Sequence, residues 1–252
     1  MGRIIALGDT HGRTNWKDIA DKELNQCDRF IFMGDYFDSH DKDSNGKRQI
    51  ENFKEILEFK STNPEKVVLL IGNHDFHYIK GVGETYSGFQ SVYAMEIGEL
   101  VEQAIKDGLI KVVHFEDGFL FSHAGLTKTW LNRLFRLNST ESDVVKNNID
   151  PRIDEVSLKI INDYLVFQPK VFTFAMGDNF SQTGDDITQG PLWVRPYSLS
   201  KDKVDGVWHV VGHTQARKLS IVDDHQIILT DCLGESGEYL IIENGTPRSS
   251  DD

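Results

Sequence analysis

The 252-residue chain carries 40 acidic against 27 basic residues, a formal net charge of −13, and 39% of its residues are hydrophobic. That apolar share sustains a folded core and excludes a disordered chain, while the length admits one large or two small domains. The negative balance repels a phosphate backbone and leaves no basic stripe for counterion release, so no long nucleic acid is expected as a partner, although a small nucleotide remains open.

The apolar opening Met1–Leu7 ends before Asp9, too short for the core of a signal peptide, and Ala6 stands where a myristoylation signal needs Ser or Thr. No stretch approaches a membrane span, so neither secretion nor membrane attachment is expected. Cys27 and Cys232 lie far apart without zinc spacing, which fits a reducing cytoplasm better than a disulfide framework.

Three short apolar runs, 3–7, 29–33 and 66–71, read as buried strands, each closing at a Gly followed by Asp or Asn. Helical stretches at 16–24 and 49–59 separate them, so the pattern is βαβαβ and predicts parallel strands covered by helices. Strands are next expected at 114–117 and 119–122, turning at Gly118. The segment 137–190 is acidic and rich in Asn, Asp, Ser and Thr, with one helical stretch at 153–165, and reads as a lid or insertion. Short strands follow at 207–211, 219–222, 226–231 and 239–242, with tight turns such as Val222-Asp223-Asp224-His225 suggesting hairpins. Residues 245–252 read as a solvated tail. Joined, the halves predict an α/β chain (α+β mixed), one domain over 1–252, with a mixed sheet or two packed sheets between helices.

Ligand-type residues recur where strands end. Asp9 and His11 follow the first strand, Asp35 the second, Asn73 the third, and His123 and His213 each close a later one. Any single Gly-Asp or Gly-Asn is ordinarily a turn, since Gly admits positive φ and Asp or Asn bonds its own backbone. Recurrence of complementary ligands in one order makes a metal site the better account. Two carboxylates, one amide and three imidazoles suit Mn, Fe or Zn better than Mg or Ca, which prefer oxygen shells. Two ions sharing a carboxylate, roughly 3.5–4 Å apart, suit in-line attack of water on phosphorus.

Five motifs carry a resemblance: Gly8-Asp9-Thr10-His11-Gly12, Gly34-Asp35-Tyr36-Phe37-Asp38, Gly72-Asn73-His74-Asp75, His123-Ala124-Gly125 and Gly212-His213. In type and order the set resembles the calcineurin-like metallophosphoesterase superfamily, and within it the phosphoprotein phosphatase group of bacterial and phage type, across about residues 4–231. The resemblance implies a sandwich of two mixed β-sheets flanked by helices. It implies two divalent metal ions, Mn the first to try and Fe or Zn the others, with Asp9, His11 and Asp35 on one and Asp35, Asn73, His123 and His213 on the other. It further implies His74 as the acid that protonates the leaving oxygen, Asp38 as its support, and Arg195 in Trp193-Val194-Arg195-Pro196 as the phosphate ligand. Read from the residues alone, capping a loop is the alternative for Asp38 and pairing with surface acids the alternative for Arg195.

The reaction so implied is phosphomonoester hydrolysis by a metal-bridging hydroxide, on a phosphoserine or phosphothreonine protein or a similar phosphomonoester. Symmetrical cleavage of a dinucleoside tetraphosphate is the enzyme alternative, and a non-catalytic partner-binding relative is the alternative of another class. One departure bears on substrate. The group carries arginine after the second Asp of its second motif, where this chain has Ser39 and His40. Compensation could come from His40, Arg13 or the 137–190 segment. His77, three after His74, could face the same cleft. His114 and His209 read as core or edge residues, His225 as a solvated turn residue, and Asp231 as either support for the metal histidines or a cap.

Overall fold

The computed structural model describes residues 2–39, 44–138, 153–178 and 183–252, so His40 lies outside the described residues. Strands β1 (Arg3–Leu7), β2 (Arg29–Phe32) and β3 (Val67–Leu70) pair in parallel, joined by helices α1 (Trp16–Glu23) and α2 (Gly46–Thr62). These strands are apolar at every inner position because both faces are covered. Ile4, Ala6, Ile31, Met33, Val68 and Leu70 meet Phe119, Phe121, Val210 and Ile228 of a second sheet. The alternate residues Ile5, Leu7, Phe30, Phe32, Val67 and Leu69 pack with Trp16, Ile19, Phe53 and Ile56 of the helices. The period of two therefore sorts each strand between a sheet-sheet core and a sheet-helix core.

Helix α2 starts where the Asn45 side chain accepts the Arg48 N–H at 3.1 Å, a cap that satisfies one of the free donors of its first turn. After the short helix α3 (Asn73–Phe76) and helix α4 (Ala94–Lys106), β4 (Ile110–Lys111) adds in parallel to β3. Strands β5 (Val113–Glu116) and β6 (Phe119–Ser122) form a hairpin through Asp117-Gly118, both at positive φ (53° and 89°). They begin a second sheet of order β5-β6-β7-β9-β8, in which β7 is Trp208–Val211, β8 Ser220–Val222 and β9 Ile227–Leu229. The architecture is the expected mixed α/β sandwich of two mixed sheets with helices.

One expectation is corrected. Residues 245–252 are no solvated tail, because β10 (Leu240–Glu243) and β11 (Thr246–Ser249) close the edge of the first sheet, in the order β11-β10-β1-β2-β3-β4. Asn244 (φ 53°) and Gly245 (φ 80°) make the two-residue turn, the dipeptide best suited to a hairpin whose central residues both need positive φ. Pro247 is tolerated since β11 is an edge strand.

The described part of 137–190 enters the core. A helix spans Glu155–Phe167, its start fixed by Asp154 accepting the Ser157 N–H at 2.7 Å while Ser157 Oγ accepts the Asp154 N–H at 2.9 Å. It buries Ile161, Tyr164 and Leu165. Asn162 Oδ1 accepts the Val112 and Val113 N–H groups at 2.8 and 3.1 Å, tying the helix to the start of β5.

Candidate metal centre

The carboxyl ends of β1, β2, β3, β6 and β7 meet at one edge of the sandwich, where parallel strands commonly open a crevice. All six ligand-type residues converge there. His11 Nε2 is 3.7 Å and His123 Nε2 3.5 Å from Asp35 Oδ2. Asn73 Oδ1 lies 2.9 Å from both His123 Nε2 and His213 Nδ1. Asp9 accepts the His213 N–H at 3.1 Å, which joins the first loop to the last.

The glycines of one motif make room for the carboxylates of another. A Cβ on Gly72 would sit 2.1 Å from Asp35 Oδ1, and one on Gly212 would sit 2.1 Å from Asp9 Oδ1. Backbone strain collects here too. His11, Asp35, Asp38 and His213 take φ of 43°, 52°, 63° and 61°, the left-handed region that non-glycine residues enter at a cost of order 1–3 kcal/mol each. Asp75 is part of what holds this geometry. Buried, it accepts the Asp35, Tyr36 and Gly72 N–H groups at 2.8, 2.7 and 2.9 Å.

Proton accounting tests whether cations fit. His123 Nδ1 is 2.9 Å from Met33 O, and His11 Nδ1 is 2.7 Å from Phe37 O. A carbonyl only accepts, so both rings carry their proton on Nδ1. Burial, first, pulls both imidazoles below the ordinary histidine range and keeps them neutral. Their Nε2 lone pairs therefore point at Asp35. His213 turns Nδ1 to Asn73 Oδ1 at 2.9 Å and Nε2 to Trp193 O at 3.2 Å, so both of its ring nitrogens face carbonyl oxygens. Its pKa is pushed well down by burial and then by His123 and Arg195, and the single proton of a neutral ring cannot serve both contacts. Around the Asn73 oxygen, ring nitrogens thus face more acceptors than they have protons for, an arrangement that divalent cations relieve.

The carboxylates make the same point. Asp9 and Asp35 are almost wholly buried, and among the described residues neither forms an ion pair with Lys or Arg. Burial, then Asp231 and Asp35, raise the Asp9 carboxyl well above its ordinary range. Asp231 is pushed up to about 6 by burial and then by Asp35. Uncompensated buried carboxylates of this kind are costly without a counter-cation. The donor set, oxygen and imidazole without thiolate, fits borderline divalent ions.

Next to this cluster stands a group of donors gathered around one carboxylate. Asp38 Oδ2 is 2.9 Å from His74 Nδ1 and 2.8 Å from His77 Nε2, the latter oblique to the ring N–H. Asp38 Oδ1 accepts Tyr78 OH at 2.5 Å and Gln90 Nε2 at 3.4 Å. The Tyr86 N–H donates to His77 Nδ1 at 3.2 Å, which puts the His77 proton on Nε2, toward Asp38. Burial raises the Asp38 carboxyl, but hydrogen bonds from His74, His77 and Tyr78 outweigh it and bring it to about 2. Burial lowers His74 in turn, but Asp35 and the Asp38 hydrogen bond outweigh it and bring the ring up to about 9. His77 does face this cleft, as its spacing allowed.

The pocket over the centre is lined by Asp9, His11, Asp35, Asn73, His74 and His213, together with Arg13, Arg195, Tyr86 and Asp231 among others. Arg195 donates from Nε to Thr183 O at 2.9 Å and from Nη1 to His213 O at 2.9 Å, so it is not spent on surface acids. Ser39 is not part of this lining; its N–H donates to Gln49 Oε1 at 3.3 Å. His209 is a core residue donating to Val204 O at 3.0 Å, and His114 pairs with Glu116 at 3.0 Å. Sequence reasoning missed Tyr78, Gln90 and Tyr86, and gave Asp75 no role. Only Asp75 lay inside a motif, and nothing in the motif says that it binds backbone.

A family model described as calcineurin-like phosphoesterase matches residues 2–217. A protein of Encephalitozoon cuniculi named "Probable serine/threonine-protein phosphatase" is 28% identical over 152 residues, 56% of this chain and 32% of that protein. Serine/threonine-protein phosphatase 7 of Arabidopsis thaliana is 31% identical over 83 residues, 31% of this chain and 18% of its own. The matches thus cover about a third or less of these curated relatives. Among solved structures, the cold-active protein-tyrosine phosphatase of a psychrophilic Shewanella species aligns over 99% of this chain and 80% of its own, with a TM-score of 0.59 at 16% identity. That likeness is one of fold.

Proposed function

This chain belongs to the calcineurin-like phosphoesterase family, and from that premise we propose that it hydrolyses phosphomonoesters with two divalent cations held by Asp9, His11, Asp35, Asn73, His123 and His213. Asp35 is the shared ligand in this reading, since the His11 and His123 lone pairs both face its Oδ2. The observation that carries the proposal is the convergence of His123 Nε2 and His213 Nδ1 on the Asn73 oxygen, 2.9 Å from each, in rings whose other nitrogens also face carbonyl oxygens. When bound, the ions supply Lewis acidity: they lower the pKa of a water and neutralise phosphoryl charge. Mn is the first metal to try, with Fe and Zn next.

The chain's own residues supply the rest. His74, cationic and held at Nδ1 by Asp38, presents its Nε2 proton to the leaving oxygen, so that an alcohol and not an alkoxide departs. Asp38 fixes that orientation and stays ionised because four donors surround it. Arg195, pinned to His213 O and Thr214 Oγ1, offers its remaining donors to the phosphate. The substrate we favour is a phosphoserine or phosphothreonine protein, in keeping with the names of the curated relatives. We place the activity in one domain spanning 1–252 and in a reducing, cytoplasmic setting, to which the free, buried Cys27 and Cys232 are suited. No helix among the described residues is long and apolar enough to cross a membrane.

The test is a side-by-side panel of phosphopeptides, mononucleotides, dinucleoside tetraphosphate and an aryl phosphate on metal-loaded protein, with Asp35→Asn as control. Turnover of phosphopeptide and aryl phosphate, abolished by Asp35→Asn in a protein that keeps its circular dichroism, is expected. Hydrolysis of dinucleoside tetraphosphate alone would reject the substrate class. Silence across Mn, Fe, Zn and Co would leave a partner-binding protein.

A further inference from the structure

Resting on the phosphatase reading above, we infer that Arg13 is a substrate-phosphate ligand, supplying from the first loop the guanidinium that Ser39 does not. Arg13 lines the same pocket as Asp9, His11, Asp35 and Arg195.

The base of Arg13 is fixed. Its N–H donates to Thr10 O at 2.9 Å and its carbonyl accepts Asn52 Nδ2 at 3.2 Å. Asn52 is itself held by Trp16 Nε1 at 2.9 Å. The tip is left with little. Among the described residues its one side-chain hydrogen bond is a long one, from Nη1 to Thr10 O at 3.3 Å, and no carboxylate there pairs with it within 4 Å. Such a guanidinium, half-buried beside a cluster of acids, retains unmatched donors in a planar fork. A phosphate dianion over the metal cluster is the partner that this fork fits bidentately.

Gly234 is the second observation. A Cβ there would come 2.3 Å from Arg13 Nη2 and 2.4 Å from its Cζ. The chain beyond Asp231 therefore passes against the guanidinium closely enough that only glycine leaves this position open. Arg195, anchored through Nε and Nη1, also lines the pocket with a guanidinium. Two guanidiniums from distant parts of the chain then share the anion.

The test uses inorganic phosphate as probe on the full-length, Mn-loaded protein, read by calorimetry and by product inhibition. Arg13→Ala should weaken phosphate binding at least tenfold while leaving the Mn stoichiometry and Tm as in wild type. Arg13→Lys keeps the charge but loses the fork, and should fall between the two. Gly234→Ala, which displaces the guanidinium without removing it, should weaken phosphate severalfold and stands in should Arg13→Ala fail to fold. Phosphate affinity within twofold of wild type in Arg13→Ala and Gly234→Ala overturns the assignment, as does a wild type that binds no phosphate. A wild type that binds phosphate through Arg13 but turns over no ester would sink the hydrolase reading and leave Arg13 standing.

Discussion

Two neighbouring clusters of the centre are built on opposite logic. Around Asp38, four donor groups surround one carboxylate, three of them in hydrogen bonds and His77 Nε2 close but oblique. Around Asn73, His123 and His213 set all four of their ring nitrogens against carbonyl oxygens, more acceptors than two neutral rings have protons for. The first is largely satisfied by protein atoms; the second is better satisfied with a positive charge present. On the proposed reading, residues of the same types, within one pocket, are sorted by hydrogen-bond accounting into a proton-handling group and a cation-holding group.

The contrast breaks first if the cation-holding group proves complete without ions. His123→Ala should reduce bound Mn from two ions to one per chain and lower kcat/KM by more than about a thousandfold, about 4 kcal/mol, with the metal-induced rise in Tm shrinking accordingly. Unchanged stoichiometry by elemental analysis would dissolve the distinction. His74→Asn should do the converse. It should keep both ions yet lose about a thousandfold with an alkyl phosphate and much less with a good aryl leaving group, as loss of a general acid requires. Equal losses on both substrates would remove His74 from that role.

His209 sharpens the comparison, being a buried histidine that belongs to neither group. Burial, first, lowers it to about 4, opposed by its bond to Val204. Its folded pKa lies below the unfolded value of about 6.5, so the unfolded chain takes up its proton first as pH falls. Stability linked to His209 is therefore present above about pH 6.5 and lost progressively down to about 4, a change of about 3 kcal/mol. In metal-free protein, His209→Gln should flatten the denaturation free energy across that window relative to wild type. Parallel curves for the two proteins would show that the imidazole protonates in place.

How much of this was legible beforehand follows from the range of each interaction. The parallel strands were visible because burial on both faces writes an unbroken apolar run, and the convergent residues because each sits at a strand end, with a glycine next to it or, at His123, two residues on. Strand β11 carried a readable sign, Asn244-Gly245, but Thr246–Ser249 lacks the apolar alternation that marks a half-buried strand. The cage about Asp38 was legible only in its histidines, His74 by resemblance and His77 by spacing. Tyr78 and Gln90 reach it across 40 and 52 residues, and no local pattern distinguishes a tyrosine that donates to a buried carboxylate from one that fills a core. Asp75 was hidden differently, since it looks like a ligand by position and serves backbone N–H groups instead.

The smallest expected effect tests whether that hidden cage matters to the chemistry. Tyr78 OH donates to Asp38 Oδ1 at 2.5 Å and accepts the Gln90 N–H at 2.9 Å, so Tyr78→Phe removes one of four donors while keeping the ring stacked on Phe89. A single hydrogen bond to a charged group contributes about 1.5–3 kcal/mol, but His77 and Gln90 remain to hold the carboxylate. About a tenfold fall in kcat for an alkyl phosphate is expected, with KM and Mn stoichiometry unchanged. Because the tyrosine reaches substrate only through Asp38 and His74, its effect should vanish in a His74→Asn background. Additive losses in that double-mutant cycle would make Tyr78 a packing residue and nothing more.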